Sequence, residues 1–197
     1  MGKFIVIEGI DGSGKSTQAV RLAEHLTQKN IKCLTTKEPT DGPIGSMARR
    51  AVCGFLPLSA DALALLFAAD RAEHIAKEIR PALKPEAGDS TFVVCDRYVY
   101  SNMAYQGLYV AKYNEAFLLV PDLTLFVDTD PEECTRRIMK SRANMEIYDG
   151  VEIAQEIRKR YFEAFRAYED IMPVVVIDGN QPEDDVFAQI LSIVMEK

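Results

Sequence analysis

Gly9-Ile10-Asp11-Gly12-Ser13-Gly14-Lys15-Ser16, followed by Thr17, fits G-x-x-x-x-G-K-[ST] and constrains the fold more than any other stretch of the chain. The run before it, Phe4-Ile5-Val6-Ile7, is short, apolar and rich in β-branched residues, as a buried parallel strand requires; Gln18 to Lys29 after it has helical periodicity. A strand, a glycine-rich turn and a helix in that order form the context in which this motif holds polyphosphate. Gly9, Gly12 and Gly14 admit backbone angles that turn successive N–H groups inward around an anion. Lys15 adds a cation for the β- and γ-phosphates, and the Ser16 hydroxyl is a ligand for Mg²⁺. The helix beginning there aims the positive end of its dipole at the same point. The motif specifies a nucleotide and leaves the reaction open among an NTPase, a switch and a kinase.

With 197 residues, 48% hydrophobic and 27% charged, the chain has enough apolar material for one α/β domain, taken as residues 1–197. A net charge of −7 argues against a general nucleic-acid surface, so basic residues that matter must gather locally around a small anionic ligand. Cys33, Cys53, Cys95 and Cys134 are widely spaced with no C-x-x-C, which points to reduced thiols in a cytoplasmic protein rather than zinc or disulfides. The longest apolar run, Ala62 to Ala69, is too short to span a bilayer, and no signal peptide precedes the first strand, so no membrane association is expected.

Strands are expected at Ile31 to Thr36, Thr91 to Cys95, Leu123 to Asp128 and Val174 to Ile177, alternating with helices. With the first strand they make a five-stranded parallel sheet, a three-layer αβα sandwich, with a small lid at roughly 136–150. Pro39 ends the second strand region, and Pro43 to Gly54 reads as a short helix. Ser59 is the expected N-cap of a helix running to about Ile79. In that helix Leu65, Ala69, Ala72, Ala76 and Ile79 read as the core stripe, and Phe67, Asp70, Arg71 and His74 as a pocket wall. Asp96-Arg97-Tyr98 follows a strand, where open α/β sheets place their ligands. Pro131 starts a helix bearing Arg136, Arg137, Lys140 and Arg142, and a long helix is expected from Val151 to Asp170. His25 and His74 read as surface or helix-face residues without a catalytic role.

Glu8 to Thr17, Glu38-Pro39, Leu65 to Arg71, Asp96-Arg97-Tyr98, Ser101, Ala104-Tyr105-Gln106-Gly107 and Pro121-Asp122-Leu123 together resemble the thymidylate kinase family, in that family's order from Gly2 to about Arg142. A weaker echo lies at Asp178-Gly179-Asn180. The resemblance implies transfer of the γ-phosphoryl of ATP to dTMP with Mg²⁺, and a homodimer packed through helices away from the phosphate loop. It implies that Phe67 stacks on thymine, Arg71 bonds its O4, and Asn102 and Gln106 lie near the base edge. Tyr105 would pack on the deoxyribose and Asp11 accept from the 3′-hydroxyl. Arg97 and Arg49 would hold the acceptor phosphate, with Glu38, Pro39 and Ser101 completing that pocket. Asp96 would lie near the metal through water, and Arg137 over the adenine beside the Asp178 to Gln181 turn.

Phosphoryl transfer between two polyanions is limited by repulsion and alignment, so cations and N–H donors count for more than a base. A nucleotide phosphate has a second pKa of about 6 and needs no deprotonation near pH 7, which fits the lack of a His or Glu dyad. Two departures from the family pattern stand out. Gly12 occupies a position where some members have arginine, which leaves Arg136, Lys140 and Arg142 as sources of a γ-phosphate cation, Arg142 the best placed. Glu146-Ile147-Tyr148-Asp149 stands where the lid usually reads Glu-Arg-x-Glu or Asp-Arg-x-Glu. A deoxynucleoside kinase and a nucleotide-dependent switch are the rival functions, although the chain has no guanine-reading Asn/Thr-Lys-x-Asp.

Overall fold

The structure, a computed structural model, describes residues 2–84, 91–141 and 146–196. Its centre is β1 (Phe4–Glu8), whose five residues are all buried. Alternation along a strand sends successive side chains to opposite faces. Phe4 and Val6 therefore enter one core, with Phe126, Tyr100 and Tyr161, while Ile5 and Ile7 enter the other, with Leu22, Leu26, Leu125 and Ile190. Each such side chain contributes roughly 1.5–3 kcal/mol by leaving water. A strand apolar on both faces can only be central. β1 is flanked by β3 (Thr91–Asp96) and β4 (Leu123–Asp128), with β2 (Lys32–Lys37) and β5 (Val174–Asp178) at the edges, all parallel, in the order β2-β3-β1-β4-β5.

Helices α1 (Lys15–Gln28) and α9 (Glu183–Glu196) bury their apolar stripes on the Ile5 face. On the other face lie α5 (Val99–Gln106) and α8 (Val151–Tyr168). The remaining connections are α2 (Pro43–Val52), α3 (Ala60–His74), a π-helical turn (Ile75–Ile79), α4 (Arg80–Leu83), α6 (Ala111–Asn114) and α7 (Pro131–Ser141). Ser59 caps α3 by accepting from Ala62 N at 3.2 Å, as its sequence position anticipates. The expected αβα sandwich with its five-stranded parallel sheet is the architecture found.

Of the core stripe read into this helix, Ile79 is fully buried at the end of the π-helical turn, but the other four residues are not. Leu65 is 47% exposed, Ala69 and Ala76 are exposed, and Ala72 is half-buried. The buried face is instead Leu63, Ala64, Ala68, Asp70, Arg71 and His74. Polar side chains are turned inward because the segment after β2 supplies partners for them: Asp70 accepts from Thr40 N at 2.7 Å and Thr40 Oγ1 at 2.6 Å. His74, expected as a surface or helix-face residue, is buried in the same way.

Candidate active site

The loop between β1 and α1 is shaped by φ values of +81° at Gly12 and +94° at Gly14, a left-handed region that favours glycine. At Gly12 the requirement is also steric. A Cβ there would lie 2.4 Å from the Cys134 carbonyl oxygen on α7. Lys15 is buried, with Nζ donating to Ile10 O at 3.3 Å and lying 3.6 Å from Asp11 Oδ1. Burial lowers its pKa and the Arg97 charge adds to this, while Asp11, Asp96 and Glu8 pull the other way. Ser16 Oγ donates to Asp96 Oδ2, so the first turn of α1 and the end of β3 meet. Asp96 Oδ1 is buried without a hydrogen-bond partner among the described residues.

A cavity of about 580 Å³ opens above this loop. Asp11, Gly12, Ser13, Gly14, Lys15, Ser16 and Thr17 line it from below, and Arg137, Gly179 and Gln181 from the sides. Gly9 lies beneath the loop, its carbonyl accepting from Tyr161 OH at 3.4 Å. Arg137 is tied by Nε to Glu133 at 2.7 Å and by Nη1 to the Gly12 carbonyl at 3.4 Å. Arg136 instead faces outward in a pair with Glu133. Arg142 lies outside the described residues.

A second cavity, of about 230 Å³, adjoins the first and shares Asp11 with it. Glu38, Pro39, Arg49, Phe67, Arg71, Arg97, Ser101, Asn102, Tyr105 and Gln106, anticipated around one acceptor, all line it. Helix α3 contributes Phe67 and Arg71 from one face, and α5 contributes Ser101, Asn102, Tyr105 and Gln106. Arg97 sits at φ +71°, a conformation that costs roughly 1–3 kcal/mol in a residue with a Cβ and persists only where the surroundings over-determine it. They do: its backbone N–H donates to Ile7 O at 3.0 Å, Nη1 to Ser101 Oγ at 3.0 Å, and Nη2 to Asp11 Oδ1 at 2.5 Å and Tyr105 OH at 3.2 Å. Arg49 spends its donors on the Pro39 and Thr40 carbonyls at 3.0 and 2.7 Å, and on Asp41 at 2.8 Å. Arg71 is 1% exposed, donates to Asn102, Asn114 and the Tyr98 carbonyl, and lies 2.8 Å from Glu38 Oε2. That last contact is an ion pair outside hydrogen-bond alignment, and among the described residues neither Glu38 Oε2 nor Arg71 Nε has a hydrogen-bond partner.

Several side chains that organise the site were missed in the sequence. Glu8, the last residue of β1, is fully buried and accepts four hydrogen bonds: Tyr98 N at 2.9 Å and Ser101 N at 3.1 Å on Oε1, Ser101 Oγ at 2.6 Å and Tyr161 OH at 3.1 Å on Oε2. It caps α5 from β1, and burial pushes its pKa up against those donors. Tyr148 accepts from Gln106 at 2.9 Å and packs edge-on against Tyr105 at 5.1 Å, closing the second cavity. Asn114 completes the set around Arg71. Only the position of Glu8 beside the glycine loop carried a signal.

A phosphate loop at the switch point of a parallel sheet, opening onto a second pocket built of aromatic, amide and guanidinium groups, defines a P-loop nucleotide-binding protein with room for an acceptor beside the donor. The family model described as thymidylate kinase matches residues 7–190. Proteins named probable thymidylate kinase from Pyrococcus horikoshii and Methanococcus aeolicus are 38% and 39% identical, with 98% and 100% of this chain and 96% and 98% of theirs covered. One of the same name from Thermococcus gammatolerans is 37% identical, over 100% of this chain and 98% of its own. The chain belongs to the thymidylate kinase family.

Proposed function

We propose that the chain transfers the γ-phosphoryl group of ATP to dTMP, giving ADP and dTDP. The observation that carries this is the meeting of the two cavities at Asp11, where Lys15 and Arg97 converge from opposite sides on one carboxylate. Two cations at that point offset the repulsion between donor and acceptor phosphates and align them, which is most of what phosphoryl transfer asks of a protein. In this reading the loop N–H groups and Lys15 hold the donor phosphates, and Arg137, Gly179 and Gln181 flank the adenosine. Phe67 stacks on thymine, Arg71 bonds its edge with Asn102 and Gln106 nearby, and Tyr105 and Asp11 meet the deoxyribose. Arg97 and Arg49 hold the acceptor phosphate.

The unpartnered, buried Asp96 Oδ1 beside the Ser16 hydroxyl fits Mg²⁺, which keeps most of its waters and binds through one or two protein groups plus phosphate. Ser16 would hold it directly and Asp96 through water, and when bound it neutralises charge on the donor phosphates. Residues 136–150 act as the lid in this proposal, with Arg142 as its γ-phosphate cation. We extend it to a cytoplasmic homodimer packed through the α2–α3 side, where Met47, Phe55, Leu58 and Leu65 are exposed; a monomer in sedimentation at micromolar concentration would count against that. Among the described residues no helix is long and apolar enough to cross a membrane.

The test is coupled ADP release with dTMP, dUMP, dCMP, dGMP and thymidine as acceptors. Preference for dTMP is expected. Equal turnover of dCMP would sink the base assignment, and faster turnover of thymidine would move the chain to nucleoside phosphorylation.

A further inference from the structure

Arg71 and His74 lie three residues apart on α3 and so share a face, while Thr36 and Glu38 lie two apart at the end of β2 and share another. Where these faces meet, one carboxylate lies between two side chains. Glu38 Oε2 is 2.8 Å from Arg71 Nη2, and Glu38 Oε1 is 3.1 Å from His74 Nδ1. The other ring nitrogen, Nε2, is 2.7 Å from Thr36 Oγ1 and 3.8 Å from Glu78 Oε2. The ring is 2% exposed, and both of its nitrogens are committed to the β2 segment. It lines neither of the two cavities of the site, yet it adjoins Glu38, which pairs with Arg71. Immediately after it α3 gives way to the π-helical turn, a local widening that often marks functional sites.

We propose that His74 is a positioning residue for base selection, holding Glu38 so that Arg71 presents its guanidinium to the acceptor base. This rests on the acceptor reading above. An ionised carboxylate can only accept, so Nδ1 carries a proton and donates to Glu38, while Nε2 meets the Thr36 hydroxyl, which also lies 3.4 Å from Glu78 Oε2. With Glu38 fixed at both oxygens, Arg71 cannot swing toward a base of a different edge pattern. Without His74 the Glu38 carboxylate is free to rotate, and the Arg71 ion pair loses its fixed direction.

The experiment uses the full chain, His74→Leu and His74→Asn, with dTMP and dCMP varied at saturating ATP and ATP varied at saturating dTMP. Asparagine keeps a donor close to the place of Nδ1. In His74→Leu the KM for dTMP should rise about fivefold or more and the dTMP to dCMP ratio of kcat/KM should fall, while kcat and the KM for ATP shift by less than about twofold. His74→Asn should recover most of the dTMP KM. Unchanged dTMP KM and ratio in a folded His74→Leu, or equal loss at the ATP and dTMP sites, would overturn the proposal. Should His74→Leu not fold, long-range ¹⁵N–¹H correlation on wild-type imidazole at pH 8 decides: a proton on Nδ1, with or without one on Nε2, supports the role, and a bare Nδ1 overturns it. Wild-type turnover of dTMP checks the acceptor reading separately, so a chain inert toward dTMP fails that reading, whereas an active chain with indifferent His74 variants fails only this one.

Discussion

Glu8→Ala is the perturbation whose cost can be worked most directly from the contacts. Two of its four donors, Ser101 Oγ and Tyr161 OH, lie 2.8 Å from one another and can turn together when the carboxylate is removed. The Tyr98 and Ser101 backbone N–H groups have no such alternative, because they are the orphan donors at the start of α5. Leaving buried donors unpaired costs about 1–3 kcal/mol each, so we expect a loss of about 3 kcal/mol from a total of roughly 5–15 kcal/mol. For a chain of this size that is a fall in Tm of roughly 6–12 °C. Glu8→Gln retains an acceptor for both N–H groups and should lose far less. It also sets the sign of the pH dependence. Burial raises the Glu8 pKa above 4.5 in the folded state, so the native protein binds this proton more tightly than the unfolded chain. Relative to Glu8→Gln, wild-type stability should therefore be greatest below pH 4.5 and decline as pH rises through the folded pKa. Thermal unfolding of the three proteins followed by circular dichroism between pH 4 and 8 measures both effects. An alanine variant within about 2 °C of wild type would refute the capping role. A wild-type advantage that grows with pH would refute the burial-dominated sign.

Lys15→Ala should abolish nearly all turnover without lowering Tm, since its charge is worth several kcal/mol to the transition state but is disfavoured by burial in the resting protein. Near wild-type kcat would contradict the phosphate role. Phe67→Ala should raise the KM for dTMP with a smaller effect on kcat, because base stacking contributes about 1–3 kcal/mol to binding; an unchanged KM with a collapsed Tm would assign Phe67 to packing. Gly12→Ala combines a left-handed φ, costing about 1–2 kcal/mol, with a clash against the Cys134 carbonyl, so it should lower Tm and weaken ATP binding together. Wild-type values of both would show that α7 yields freely. Arg142→Ala should reduce kcat at least about tenfold while dTMP affinity without ATP stays constant; an unaltered kcat would send the search for the γ-phosphate cation elsewhere.

The parts of this protein legible in its sequence are those whose cause is local. A both-faces-apolar run at Phe4 to Ile7 can only be a central strand, and the glycine spacing after it can only cradle an anion. Ser59 announces α3 because its cap bond reaches three residues on. Helix α5 announces nothing, since its cap is Glu8 on β1 and the connection spans 93 residues to Ser101. The inverted reading of α3 has a similar origin: Asp70, Arg71 and His74 are buried because Thr40, Glu38 and Thr36 arrive from another segment to bond them, whereas Leu65 and Ala69 are left outside. Apolar periodicity finds a buried face only where burial is apolar, and at this site it is not. Gly12 joins the two kinds of cause. Its φ of +81° belongs to the loop, but the Cys134 carbonyl oxygen that would lie 2.4 Å from a Cβ there belongs to α7, 122 residues further along. An arginine at this position would require α7 to sit elsewhere. Since α7 runs into the proposed lid, a glycine in the loop and the cation we propose from the lid would both follow from one packing arrangement.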